Sequence, residues 1–132
     1  MRTREILRKA RRDGRDAGRN AASWCFDGNT TDATYRYVLK GLEDGDPAVL
    51  DTYSAPNLSG EWADAPTPQS LAEDYDLDTT NDPDSTRLDE ACSVWEDAAS
   101  EAFWKELERT ARYYVEAFWK KLERTARYYV TP

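Results

Sequence analysis

Histidine is absent from all 132 residues. With it go the commonest general base at neutral pH, the commonest metal ligand, and every Ser–His or Cys–His nucleophile arrangement. A Gly-rich phosphate loop and a GxSxG elbow are missing as well, so the usual nucleotide and acyl-transfer signatures have no carrier. Only two cysteines occur, Cys25 and Cys92. That is too few for a disulfide scaffold, and the rarity of cytosolic disulfides favours buried reduced thiols over a bridge. No apolar run approaches the length of a membrane span. The N-terminus, MRTREILRKARR, lacks the apolar stretch of a secretory signal. Paired carboxylates are plentiful, but an acidic chain supplies pairs by chance, and hydrolysis needs a cleft. The chain reads as non-enzymatic, with no cofactor and no metal.

What is present is charge, unevenly spread. The chain has 18 basic and 26 acidic residues, a net charge of −8. Residues 1–19 carry a surplus of basic residues, residues 20–100 hold most of the acids, and residues 101–132 are again mildly basic. Such asymmetry implies either internal pairing or separate surfaces for different partners.

Helical periodicity dominates, and no strand pattern competes, so the expected fold is all-α, about five helices. Thr3 is placed to cap a first helix reaching about Phe26. Ile6, Leu7, Ala10, Gly14, Ala17, Ala21, Trp24 and Cys25 share one sector of its wheel, and Arg4, Arg8, Arg11, Arg15 and Arg19 share a narrower second sector. Gly14 and Gly18 each cost about 1 kcal/mol against alanine in a helix, which implies close approach by something bulky, an aromatic side chain being the candidate. Thr30 or Thr31 opens a second helix with Tyr35, Val38, Leu39 and Leu42 on its inner face, and Gly45 stops it. Asp46-Pro47 starts a short helix through Tyr53. Residues 54–67 are broken by Pro and Gly and form a loop anchored by Trp62. Thr67-Pro68 begins another short helix to about Tyr75, and residues 76–85 form an acidic, mobile turn. Ser85 or Thr86 caps the last helix. Its inward stripe is Leu88, Cys92, Trp95, Ala99, Ala102 and Phe103, and no Gly or Pro interrupts it before Pro132.

The last helix contains a duplication. EAFWKELERTARYYV (101–115) is followed directly by EAFWKKLERTARYYV (116–130), differing only at Glu106 and Lys121. One duplication is too little for a repeat architecture, so the chain divides into a helical domain at 1–115 and a duplicated extension at 116–132. A helix of about 45 residues would be roughly 67 Å long, so the second copy must project, fold back near Tyr113–Val115, or meet another chain. Fifteen residues turn a helix by four turns and about 60°. The second aromatic face therefore cannot continue the first, and Phe118, Trp119 and Leu122 are left exposed if the first copy completes the core. Glu101–Lys105, Glu108–Arg112, Glu116–Lys120 and Glu123–Arg127 have the spacing of helix-supporting ion pairs.

Two charged features have sharper readings. Asp74, Asp76 and Asp78 alternate like calcium-loop ligands, but the turn position that needs Gly holds Thr79 or Pro83, depending on the register. A solvated acidic segment is the better account. The arginine stripe could follow phosphates, but the chain's net charge repels a polyanion at long range. A solvated face, or pairing with the chain's own acids, is favoured.

The strings AASWCFDGNTTDATYRYVLKGLEDGDP, LSGEWADAPTPQSLAEDY and EDAASEAFWKELERTARYYV resemble small acidic proteins of unknown role encoded by actinobacteria and their phages and plasmids. The resemblance spans about residues 15–115 and implies a cytoplasmic accessory protein. Acidic surfaces of this kind can imitate nucleic-acid phosphates and occupy a partner's site. The expectation is a non-catalytic factor that binds a host protein, with no small-molecule substrate and no membrane. The candidate contact residues are Asp74, Asp76, Asp78, Asp82 and Asp84 on the acidic surface and Phe118, Trp119 and Leu122 on the tail. The alternatives are nucleic-acid binding through Arg4, Arg8, Arg11, Arg15 and Arg19, or a structural oligomer formed through the C-terminal helix.

Overall fold

Helix α1 (Thr3–Ser23) buries Ile6, Ala10, Gly14, Gly18 and Ala22, a small-residue stripe repeating once per turn from Ala10. The computed structural model describes residues 2–59 and 66–130, the last three by backbone alone, and all regular structure among them is helical. The expected anchor Trp62 lies outside the described residues. Thr3 does not cap α1. The N-cap is Arg2, with no side-chain bond, and the Thr3 hydroxyl accepts from Arg87 Nε at 3.1 Å. The helix also ends sooner than the apolar wheel implies. The Trp24 and Cys25 amides donate to the carbonyls of Ala21 and Ala22, a tightened i→i−3 closure. Trp24 thereby leaves the inward sector and is 81% exposed.

Helix α2 (Asp32–Asp44) is capped by Thr31, whose side chain accepts the Thr34 amide, and stops at Gly45, which is left-handed at φ 67°. Helix α3 (Pro47–Leu50) starts at the Asp46 cap and spans one turn, short of Tyr53. Tyr53 instead turns toward Phe26, with ring centroids 6.2 Å apart. Helix α4 (Pro68–Asp74) opens with a reciprocal Thr67/Ser70 capping box.

Helix α5 (Asp82–Val130) runs 49 residues, about 74 Å at 1.5 Å per residue. It begins ahead of Ser85 because Asn81 Oδ1 accepts the Asp84 amide. No fold-back occurs at Tyr113–Val115.

Helices α1, α2 and α4 pack on α5, and α3 packs on α2. Thr3 meets Arg87, Gly14 meets Trp95 and Gly18 meets Ala99, so α1 and α5 run parallel. The closeness is between backbones: a Cβ on Gly14 or Gly18 would fall on the carbonyl oxygen of Trp95 or Ala99. The two glycines admit a neighbouring helix, not a bulky side chain. Helix α2 runs antiparallel to α5. Tyr35 stacks on Tyr114 with centroids 4.6 Å apart, Arg36 lies over Phe118, and Glu43 reaches Arg112 at 3.3 Å. Two core clusters result. One joins Ile6, Ala10, Leu58, Leu71, Tyr75, Ala91, Trp95 and Ala99. The other joins Ala22, Tyr35, Val38, Val49, Phe103, Leu107 and Ala111.

Tyr75 closes the first cluster. Its ring is buried, its hydroxyl donates to Asp13 Oδ2 at 2.9 Å, and Lys9 sits over the ring at 5.2 Å. Burial first, and then the Asp13 bond, push its phenol well above the ordinary tyrosine range. The folded chain therefore keeps a proton there that the unfolded chain releases near pH 10. The stability this lends is whole below about pH 10 and is lost as pH rises from there through the folded value. Tyr75→Phe should cost about 1 kcal/mol at pH 7 and make denaturant midpoints between pH 9 and 11 fall less steeply than in the parent. An unchanged alkaline slope would contradict this assignment.

Candidate functional site

The duplicated unit occupies two different environments. In the first copy Phe103, Leu107 and Ala111 are fully buried against α1 and α2, and Trp104 is half-buried. In the second copy Phe118 is half-buried under the Arg36 guanidinium, 5.4 Å from its ring centre. Trp119 is 53% exposed and Leu122 is 41% exposed, and Ala126 is also at the surface. Rotation by about 60° per unit accounts for this: Phe118 still meets α2, while Trp119 and Leu122 arrive facing a direction that neither α1 nor α2 covers. Helix α2 begins at Asp32, so its packing on α5 ends near Phe118.

Polar partners diverge too. Lys105 pairs with Glu101 at 3.9 Å and Arg112 with Glu108 at 2.8 Å. Of the equivalent second-copy pairs, neither Glu116–Lys120 nor Glu123–Arg127 is an ion pair among the described residues. Glu106 is held by Arg109, whose guanidinium keeps its carboxyl below the usual range. At the equivalent place stands Lys121, which cannot pair with Arg124. The single difference between the copies thus adds positive charge to the projecting end.

The five arginines of α1 do share one face, and all are exposed. Arg11, Arg15 and Arg19 line a groove of about 640 Å³ between α1 and α5, floored by Val94, Ala98 and Ala102. Arg4 and Arg8 continue the row toward the N-terminus. None of the five is in an ion pair within the described residues. Across the groove stand Asp97, Glu101 and Glu106 beside Lys105 and Arg109. Its lining is mixed in sign and carries no aromatic ring. A phosphate strand would meet carboxylates on one wall and no stacking platform.

The acidic segment is more structural than its composition implies. Asp78 Oδ1 accepts both the amide and the hydroxyl of Thr80, at 3.0 and 2.6 Å, and Asp84 Oδ2 accepts the Asp78 amide at 2.9 Å. Asp84 Oδ1 also pairs with Arg87. These bonds hold both carboxyls below the usual range, the Thr80 hydroxyl contributing most at Asp78 and the Asp78 amide most at Asp84. The turn that sequence alone reads as a mobile acidic linker is a hydrogen-bonded start for α5. Asp74, Asp76, Asp78 and Asp82 are exposed and Asp84 is half-buried, and Asp76 takes a left-handed φ of 54° just after α4. Among the described residues no three Cys, Asp or Glu side chains are placed to hold a metal ion.

Cys25 and Cys92 are free and half-buried in different clusters, each thiol pushed up by burial. No described helix is long and apolar enough to cross a membrane.

The helix wheels do not anticipate three further exposed apolar side chains. Trp24, Tyr37 (55% exposed) and Leu50 lie outside the core. The early end of α1 and the one-turn length of α3 place two of them there, and neither boundary has a Gly or Pro signal at the right position. Compared with protein-family models, curated proteins and solved structures, the chain matches none of them.

Proposed function

We propose that this is a non-catalytic protein-binding factor whose contact surface is the face of α5 beyond Val115. The observation that carries the reading is the contrast between Leu107, fully buried, and its duplicate Leu122, 41% exposed beside Trp119 at 53%. A tryptophan and a leucine exposed on one side of a helix, with no other described helix packed over them, are characteristic of a protein contact. The lack of histidine supports the non-catalytic part of the reading. The resemblance to small acidic actinobacterial and phage proteins supports an accessory role. The exposed carboxylates of Asp74, Asp76 and Asp82 are a weaker second surface, since Asp78 and Asp84 are committed to the turn.

Affinity capture from an actinobacterial lysate should recover specific proteins with the parent chain and lose them with Trp119→Ser/Leu122→Ser. Identical captured sets would sink the reading, provided circular dichroism confirms that both baits are folded.

A further inference from the structure

We propose that the outward face of α5 pairs antiparallel with the same face of a second copy, each projecting end lying in the other's α1–α5 groove. This rests on the reading of that helix end as a protein contact and names its partner.

Heptad spacing carries the inference. Ala98, Lys105, Arg112, Trp119 and Ala126 recur every seven residues in one row of α5, and Val94, Glu101, Glu108, Val115 and Leu122 form the row beside it. None of these is fully buried. The two rows make a seam about 48 Å long. Helix α1 borders it on one side, and Glu43 of α2 reaches it at Arg112 on the other. The seam is charged in the middle and apolar at both ends. Its C-terminal end offers Trp119, Leu122 and Ala126, while Val94 and Ala98 at the other end floor the groove of about 640 Å³. Val115 only marks the register, since it packs on its own core cluster.

A two-fold axis between Glu108 and Arg112 matches the rows layer by layer. Leu122 falls on Ala98 of the second copy, Ala126 on Val94, and Trp119 enters beside Glu101 over the small Ala98 and Ala102. Large meets small in the apolar layers, and the groove is the room those alanines leave. At the centre Glu108 of each copy meets Arg112 of the other. Lys105 crosses Val115, where its stem covers apolar surface while its ammonium reaches water.

The flank agrees with this register. Glu116 and Glu123 share the heptad place of Ala102 and Arg109, which line the groove on the α1 side. There Arg11, Arg15 and Arg19 are in no ion pair among the described residues. Gly14 meets Trp95 and Gly18 meets Ala99, so Arg15 stands level with the incoming Glu123, and Arg19 lies about one turn from Glu116. Lys120, Lys121, Arg124 and Arg127 take other heptad places and stay in water.

Other pairings fit worse. In parallel, Glu101, Lys105, Glu108 and Arg112 would each face its own duplicate, giving only like-charge layers in the middle. Sliding the antiparallel pair by one heptad sets Leu122 over Lys105, or over Ala91, which the core already holds. Nor can one chain make the contact alone. Helix α5 is unbroken to Val130, so its end cannot turn back to its own groove.

Sedimentation velocity tests this on the parent, Glu108→Lys, Arg112→Glu, and an equimolar mixture of the two variants. The parent should form a reversible dimer. Each variant alone sets like charges face to face in both central layers and should dimerise at least about tenfold more weakly. The mixture should recover a dimer, because every central layer then joins opposite charges. Misfolding of either variant cannot produce that recovery. Spin labels at Lys120→Cys, with Cys25 and Cys92 changed to Ala, report the direction. The antiparallel register holds them about 30 Å apart or more, whereas parallel or tip-to-tip pairing brings them within about 20 Å. A parent monomeric at every concentration, variants that dimerise as the parent does, a mixture without recovery, or the shorter label distance would each overturn the proposal. In any of these cases, lysate capture that still depends on Trp119 and Leu122 would leave the protein-binding reading standing, and capture that does not would remove both.

Discussion

Gly14→Ala is expected to destabilise the fold by more than about 3 kcal/mol, a large share of the roughly 5–15 kcal/mol that holds a small domain together. Alanine is the better helix former by about 1 kcal/mol, so on an isolated helix the same change would stabilise. The sign reverses because the new methyl would land on the carbonyl oxygen of Trp95. A backbone atom cannot rotate away as a side chain can, so the two helices must separate along the whole seam. Gly18→Ala meets the Ala99 carbonyl in the same way, and the double substitution should leave no cooperative transition. Gly28 supplies the control. It sits in an exposed turn with nothing near its would-be Cβ, and Gly28→Ala should change stability by no more than about 0.5 kcal/mol. Equilibrium denaturation of the three single variants checks the ranking, and a Gly14→Ala midpoint at or above the parent's would refute parallel backbone packing of α1 on α5.

The second large effect is a difference between identical residues. Phe103→Ala and Leu107→Ala empty positions that are fully buried between α5 and its neighbours, and each should cost roughly 3–5 kcal/mol, the range for large core side chains. Fifteen residues later the same substitutions should do little. Leu122→Ala should fall within about 0.5 kcal/mol of the parent. Phe118→Ala should cost about 1 kcal/mol, since the contact with Arg36, an edge contact with Trp119 and partial burial are lost. Measured at low protein concentration, these four values separate folding from assembly, which otherwise adds its own stabilisation. Comparable losses in both copies would mean that the second unit belongs to the core.

The parts of this fold legible in the sequence are those governed by local chemistry. The Asp46 and Thr67 caps, the stop at Gly45, and the inward face of α2 follow from spacing and cap preference alone, and the α2 cap is narrowed to Thr30 or Thr31, of which the structure uses Thr31. So does the exposure of Trp119 and Leu122, which needs only the wheel angle of a fifteen-residue repeat. Other features depend on partners distant in the chain. Gly14 and Gly18 are visibly costly, yet nothing in their neighbourhood says that the visitor is the backbone of α5. Thr3 is a good cap by type, but Arg87, far along the chain, takes its hydroxyl. Asp78 and Asp84 look like solvated charge because their mutual bond joins residues on either side of a turn. Trp24 fits the inward sector of α1, and a tightened final turn removes it. The exposure of Tyr37 and of Leu50 has no shared periodic signal, since they lie on separate helices.

On this proposal residues 1–115 carry the fold while the duplicate carries a contact. Unfolding of a chain ending at Val115, compared with the full chain at dilute concentration, tests it most directly. The two free energies should lie within about 1 kcal/mol of each other, because every buried residue among those described lies before Glu116, and any concentration-dependent mass in light scattering should be lost. A shortened chain that unfolds several kcal/mol more easily, or that associates as the full chain does, would contradict it.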